Sequence, residues 1–184
     1  MNSGEAILQV IAAADAASIA YMLTGSLASG VWGIPRASKD ADLVLEMSNR
    51  RPDEITRHLG PEFRLNDQMS FETITGSMRW ILQVPKINFD IELFLLSTDA
   101  HHQERFKRRR EHLHPTLLRN VFLPTAEDVI IQKVRWGRQK DRSDALDVMS
   151  VQAGHLDWLY IESWCDRHNT RALLEELRAA VPPI

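Results

Sequence analysis

Apolar positions recur along this chain with two different periods, and the changes between them predict its elements. Ile7, Ile11, Ala14 and Ser18 share one face at helical spacing, so a helix is expected from Glu5 to about Ser18, with Ser3 as a cap. Ile19–Leu23 is a short apolar run that stops at Gly25, the pattern of a buried strand. Ser26–Trp32 reads as a short helix opened by Ser26 and closed at Gly33-Ile34-Pro35. Ala41–Glu46 is a second strand, and Pro52–His58 a helix with proline in its first turn. A helix is expected over Asp67–Thr75, against the β-branched run Thr73-Ile74-Thr75. Arg79–Val84 and Ile87–Leu95, split by Pro85-Lys86, predict an antiparallel pair. His101–Arg110 is a polar, basic helical stretch, and Leu117–Leu123 a last edge strand before Pro124. From Thr125 the period is helical, over 125–137, 141–153, 157–168 and 170–180. Trp158, Ile161 and Cys165 line one face there, and Leu173, Leu174, Leu177 and Val181 another; both stripes read as core. The predicted class is α/β (α+β): a mixed β-sheet flanked by helices over 1–124, with a C-terminal helical bundle over 125–184 packed on it.

Composition narrows the setting without choosing a function. At 184 residues, 44% of them hydrophobic, the chain suffices for one well-buried core or two small lobes. A net charge of -3 gives no global attraction for nucleic acid. Cys165 is the single cysteine, which excludes an intrachain disulfide and fits a reducing compartment. The N-terminus lacks the basic-then-apolar pattern of a signal peptide, and no apolar run approaches a membrane span. A cytoplasmic protein without a membrane partner is expected.

The chemistry concentrates between residues 23 and 45. Strand alternation puts Asp40 and Asp42 on one face while Ala41, Leu43 and Leu45 bury the other. Two carboxylates so placed repel unless a cation neutralises them. Just upstream, Gly25-Ser26 forms a turn at a helix start, where backbone N–H groups suit an anion. Together they describe a seat for a metal-bound triphosphate. The run Phe89–Leu93 repeats the alternation, with Asp90 and Glu92 on one face.

Gly25-Ser26 followed by Gly33-x-Pro35-Arg36-x-Ser38-x-Asp40-x-Asp42-Leu43 resembles the signature of the nucleotidyltransferase superfamily typified by DNA polymerase β. Lys133, Arg138, Lys140-Asp141 and Asp144 bring the resemblance nearer to its bacterial abortive-infection (AbiEii-type) toxin branch of minimal nucleotidyltransferases. An Asp-x-Asp strand and a Gly-Ser turn are each commonplace; their order, with Arg36 and Ser38 between them, makes the pattern specific. The resemblance implies a nucleotidyltransferase-type mixed sheet and Mg²⁺-dependent transfer of an NMP from an NTP, such as ATP, with release of pyrophosphate. The acceptor would be RNA, protein or a small molecule. It further implies Asp40, Asp42 and Asp90 as catalytic, metal-holding carboxylates for Mg²⁺, or Mn²⁺ in its place. Glu92 competes with Asp90 for the third position. Gly25, Ser26, Arg36 and Lys133 would bind nucleotide. Ser29 stands where many active members carry arginine, and this keeps a rival open: an inactive interaction protein on the same fold, such as a toxin–antitoxin component with a cognate partner.

Several signals have plainer readings. A lysine in an apolar segment commonly extends to the surface, so Lys133 is either that or a phosphate contact braced by Asp141 and Asp144. His101, His102, His112 and His114 match no closed zinc spacing. The basic runs 105–110 and 135–142 read as solvated faces before they read as nucleic-acid tracks.

Overall fold

The computed structural model describes residues 1–48 and 50–181. The elements in order are α1 (Ser3–Ala16), β1 (Tyr21–Thr24), α2 (Gly25–Trp32), β2 (Asp40–Leu45), α3 (Asp53–Thr56), β3 (Arg64–Leu65), β4 (Ser70–Glu72), β5 (Ser77–Val84), β6 (Phe89–Leu95) and α4 (Ala100–Arg108). They continue with β7 (Arg110–His114), β8 (Arg119–Leu123), α5 (Ala126–Trp136), α6 (Gln139–Val151), α7 (Trp158–Arg167) and α8 (Arg171–Ala179).

The main sheet is mixed, with order β1-β2-β6-β5-β3 and β4 also paired to β5. β1 runs antiparallel to β2, placing Thr24 opposite Asp42. β2 and β6 are parallel, with Asp40 opposite Asp90 and Asp42 opposite Glu92. β5 closes onto β6 antiparallel, as the split at Pro85-Lys86 predicts. Leu43, Leu45, Ile91 and Leu93 are fully buried and form the sheet's contribution to the core. The same apolar cluster takes in Ile7 and Ile11 of α1, Ile130 and Ile131 of α5, Val148 of α6, Ile161 of α7 and Leu174 of α8. Burial on this scale, at roughly 25 cal/mol per Å² of apolar surface, is the main term holding the layers together.

Local expectations failed in identifiable places. Asn2, not Ser3, caps α1: its Oδ1 accepts from the Glu5 N–H while Glu5 accepts from the Asn2 N–H, a reciprocal box. The segment Asp67–Thr75 is not a helix. Ser70–Glu72 instead pairs with β5, and the Glu72 carboxylate caps the following turn by accepting from the N–H groups of Ile74 and Thr75 at 2.7 and 2.9 Å. The turn closes at Gly76, whose φ of 65° favours glycine. The last strand, β8, lies in no edge of the main sheet but pairs with β7 in a separate hairpin, which shortens the basic helix to Arg108.

α5 begins where expected. The Thr125 hydroxyl accepts from the Asp128 N–H, and Gly137 ends the helix at a φ of 64°.

Candidate active site

The site starts at the β1–α2 junction. Gly25 takes a φ of 64°, and an added Cβ would lie 1.8 Å from Asp42 Oδ2. Only glycine lets the turn close directly on that carboxylate. Ser26 is buried, and its hydroxyl has no partner among the described residues. Ser29, one turn on, donates to the Gly25 carbonyl at 2.9 Å and steadies the first turn.

Gly25, Ser26, Asp40 and Asp42 line one cavity of about 250 Å³, with Arg36, Ser38, Glu72, Arg79, Glu92, Lys133, Trp136, Arg138 and Lys140 among the residues completing its walls. The Ser38 hydroxyl donates to Asp40 Oδ1 at 2.7 Å. Asp42 carries the electrostatic load: burial, then the charges of Glu92 and Asp40, push its carboxyl up to about 7, against the weaker pull of Lys133 and Lys140. A cation placed among these carboxylates would relieve that repulsion.

Of the two β6 carboxylates, Glu92 and not Asp90 reaches this cavity. Asp90 lies two positions along β6, roughly 6–7 Å at strand rise, and lines a separate depression with Gln83, Pro85 and Asn88. Asp40, Asp42 and Glu92 thus share this cavity, and its walls do not include Asp90, which was expected to complete the group. Register pairs Asp40 with Asp90 and Asp42 with Glu92, and the Gly25 turn lies against the Asp42 end of the carboxylate pair. Glu92 is itself held by Arg79 Nη1, at 2.9 and 3.0 Å to its two oxygens. Among the described residues no three His, Cys, Asp or Glu side chains converge tightly enough to cage a metal alone. A pair of carboxylates completed by phosphate oxygens and water is, however, the donor set magnesium takes in nucleotide sites.

Arg36 and Lys133 also line the cavity, and both are engaged in ion pairs. Arg36 grips Asp144 through Nε and Nη2 at 2.8 and 3.1 Å. Lys133 is buried, its ammonium 2.7 Å from Asp144 and 3.2 Å from Asp141, and Asp141 is held in turn by Arg138. Burial pushes Asp144 up, but Arg36 and Lys133 outweigh it and hold its carboxyl below the ordinary range. The surface reading of Lys133 is thus excluded, and Asp141 and Asp144 brace it.

Sequence reasoning missed Glu72, Arg79, Phe94 and Trp136 as walls of the cavity. Arg79 was findable: antiparallel pairing across Pro85-Lys86 brings Arg79 to the diagonal of Glu92 on one sheet face. Glu72 was hidden by the mistaken helix. The histidines lie elsewhere; His112 packs on Trp32, and His101 bonds Asp128 at 3.2 Å.

The carboxylate pair on β2, the glycine-serine turn at the β1–α2 junction and cations of α5 and α6 thus line one cavity. Solved structures agree on the fold. The chain matches ANT(2'')-Ia in complex with adenylyl-2''-tobramycin at a TM-score of 0.64 and 12% identity, covering 92% of this chain and 98% of that one. The solution structure of the antibiotic-resistance factor ANT(2'')-Ia matches at 0.60 and 14%, covering 96% of each chain. JHP933 from Helicobacter pylori matches at 0.53 and 15%, covering 95% of this chain and 81% of that one. The chain has the nucleotidyltransferase fold. No family model and no curated protein matches its sequence. No helix among the described residues is long and apolar enough to cross a membrane.

Proposed function

We propose that this protein is a metal-dependent nucleotidyltransferase that moves an NMP from an NTP to an acceptor hydroxyl. The bond from the acceptor oxygen to the α-phosphorus forms, the α–β phosphoanhydride breaks, pyrophosphate leaves, and the hydroxyl proton passes to a cavity carboxylate. One observation carries the reading: Asp40 and Asp42 face the same cavity as the unpartnered Ser26 hydroxyl and the Gly25 turn. Asp40 and Asp42 would hold Mg²⁺, with Glu92 flanking them in place of Asp90. When bound, the metal neutralises charge developing on the reacting phosphate. Ser26 and the first N–H groups of α2 would hold phosphate oxygens. Lys133, fixed by two carboxylates, adds positive potential to the wall, so the part from Thr125 onward closes the nucleotide site. Positioning and charge neutralisation suffice for this chemistry.

The adduct in one structural neighbour is an adenylylated small molecule. For this chain the acceptor is to be found among small molecules, RNA and proteins. Incubation with α-labelled NTPs, Mg²⁺ and each acceptor pool, with pyrophosphate release followed in parallel, tests the reading. Label transfer that disappears in Asp42→Asn is expected.

A second reading, an inactive interaction protein such as a toxin–antitoxin component of the abortive-infection type, is favoured by one specific feature. Glu92 is neutralised by Arg79, which leaves the carboxylate pair without a free third member. Absence of both pyrophosphate release and any NTP–Mg²⁺ stabilisation against heat would establish that alternative.

A further inference from the structure

Behind the Gly25 turn lies a second, much smaller chamber with room for about one water-sized group, near 10 Å³. It shares Gly25, Lys133 and Trp136 with the large cavity, and its remaining walls include Arg105 of α4 and Gln132 of α5. Both side chains are deeply buried, Arg105 at 4% and Gln132 at 3% exposure. Arg105 Nε and both amide atoms of Gln132 lack any hydrogen-bond partner among the described residues. An unanswered buried polar group costs about 1–3 kcal/mol, and a charged one more, so two unpartnered donor atoms, Arg105 Nε and Gln132 Nε2, on residues lining one void call for an acceptor there.

The sign of that occupant follows from the walls. No acidic residue lines the chamber, while Arg105 and Lys133 do, the ammonium of Lys133 being bonded to Asp141 and Asp144. The acids nearest Arg105 are already committed. Asp128 is bonded by His101, Arg108, Tyr160 and Thr125, and Asp99 by Arg135 and the His102 N–H. They act on Arg105 only through space, and burial still draws its guanidinium down to about 10. The chamber therefore suits one anionic oxygen, entering from the side of Gly25 and Lys133.

The geometry points to Arg105 and Gln132 as a binding site for the terminal phosphate of the nucleotide, one of whose oxygens enters this chamber beside the Gly25 turn. This rests on the nucleotidyltransferase reading and adds to it a pair of residues that count phosphates. Arg105 supplies a charge-assisted hydrogen bond, and the Gln132 amide donates a second.

Calorimetric titration with Mg-NTP and Mg-NDP, on the whole chain and its Arg105→Met and Gln132→Met variants, tests the proposal. Wild type is expected to prefer NTP over NDP. In each variant the NTP affinity should fall about tenfold to a hundredfold while NDP affinity changes little, so that the preference closes. Thermal melts separate this from structural damage. Arg105→Met removes a buried charge that burial disfavours and whose Nε makes no hydrogen bond, so the nucleotide-free variant should melt no lower than wild type while gaining less from NTP. Should Arg105→Met fail to fold, Gln132→Met, which breaks no bond, carries the test alone. An unchanged NTP-to-NDP ratio in the folded variants would mean that the chamber holds only water or a halide, and the proposal falls while the enzyme reading stands. Absence of nucleotide binding by wild type overturns both.

Discussion

Replacing Lys133 by methionine keeps most of the stem's volume and removes one buried charge that answers two others. The ammonium is 2.7 Å from Asp144 and 3.2 Å from Asp141, and the three side chains are at most 5% exposed. Breaking a buried pair from one side costs about 3–5 kcal/mol because the remaining charge is stranded. Here neither acid is fully stranded, since Arg36 still holds Asp144 and Arg138 still holds Asp141. Those arginines are 38% and 55% exposed, so water screens what they return. A net loss of about 2–4 kcal/mol is expected at pH 7. With a urea slope of about 2 kcal/mol/M, the unfolding midpoint moves down by about 1–2 M. The deficit has a pH signature. The folded Asp144 carboxyl lies below its unfolded value, so its contribution is present above the unfolded pKa and lost as pH falls through the folded one. Wild type and Lys133→Met should therefore converge in acid. In an Asp141→Asn background the lysine has one acid fewer to answer, and the same replacement should cost less. A neutral-pH loss below about 1 kcal/mol, or a full-sized loss in that background, would refute the idea that Lys133 is held by this network.

Three further outcomes are expected. Asp42→Asn should raise the melting temperature of the nucleotide-free protein at pH 8 while abolishing transfer. With the folded carboxyl pushed up to about 7, wild type is penalised increasingly as pH rises from the unfolded value toward 7, by a few kcal/mol at most, and the amide escapes this; equal melts at pH 8 would count against it. Gly25→Ala should cost about 1–2 kcal/mol in urea unfolding from its φ of 64° alone, and should lose transfer because the new methyl falls 1.8 Å from Asp42 Oδ2; retained activity would mean that the turn is not part of the site. Glu92→Gln should reduce turnover at least tenfold while Asp90→Asn leaves it within about twofold, and the reverse order in steady-state rates would restore Asp90 as the third carboxylate.

What was legible in the sequence were features set by neighbours in the chain. The alternation of Asp40 and Asp42 with buried residues, the Gly25-Ser26 turn and the Thr125 cap are local, and the structure has all three. The choice between Asp90 and Glu92 was not local. Both share a face by alternation, and only the parallel register of β2 on β6, set by long-range packing, puts Glu92 beside Asp42. The stretch Asp67–Thr75 misled for a related reason: Ser70–Glu72 becomes a strand through its partner β5, and the carboxylate of Glu72 stabilises a turn that propensity does not show. Arg105, expected on a solvated basic face, is instead buried, and Gln132 carried no signal, because the absence of partners in a folded interior is not written in neighbouring residues.

Contacts between the loop after α2 and helix α6 join two walls of the cavity. Arg36 sits in the loop that delivers Ser38 and Asp40 to the cavity, and Asp144 of α6 holds it through two bonds. Trp32, at the end of α2, donates its indole N–H to the Pro124 carbonyl, and its own carbonyl accepts from Gln152. Gly33 packs so close to α6 that an added Cβ would come within 2.9 Å of the Val148 nitrogen. The loop from Trp32 to Asp40 is thus tied at three points to elements beyond Pro124. Apolar packing could hold a loop of that length at less desolvation cost than an Arg–Asp–Lys–Asp–Arg chain. Directional bonds fix where a guanidinium and an ammonium point, which apolar contacts cannot do. On the proposed nucleotidyltransferase reading, in which a triphosphate is placed against two carboxylates, fixing the cations before the ligand arrives removes reorganisation from the reaction itself. The ionic chain from Arg36 to Arg138 therefore costs folding energy where it gains preorganisation, and the Lys133 and Arg36 positions are where that exchange can be measured.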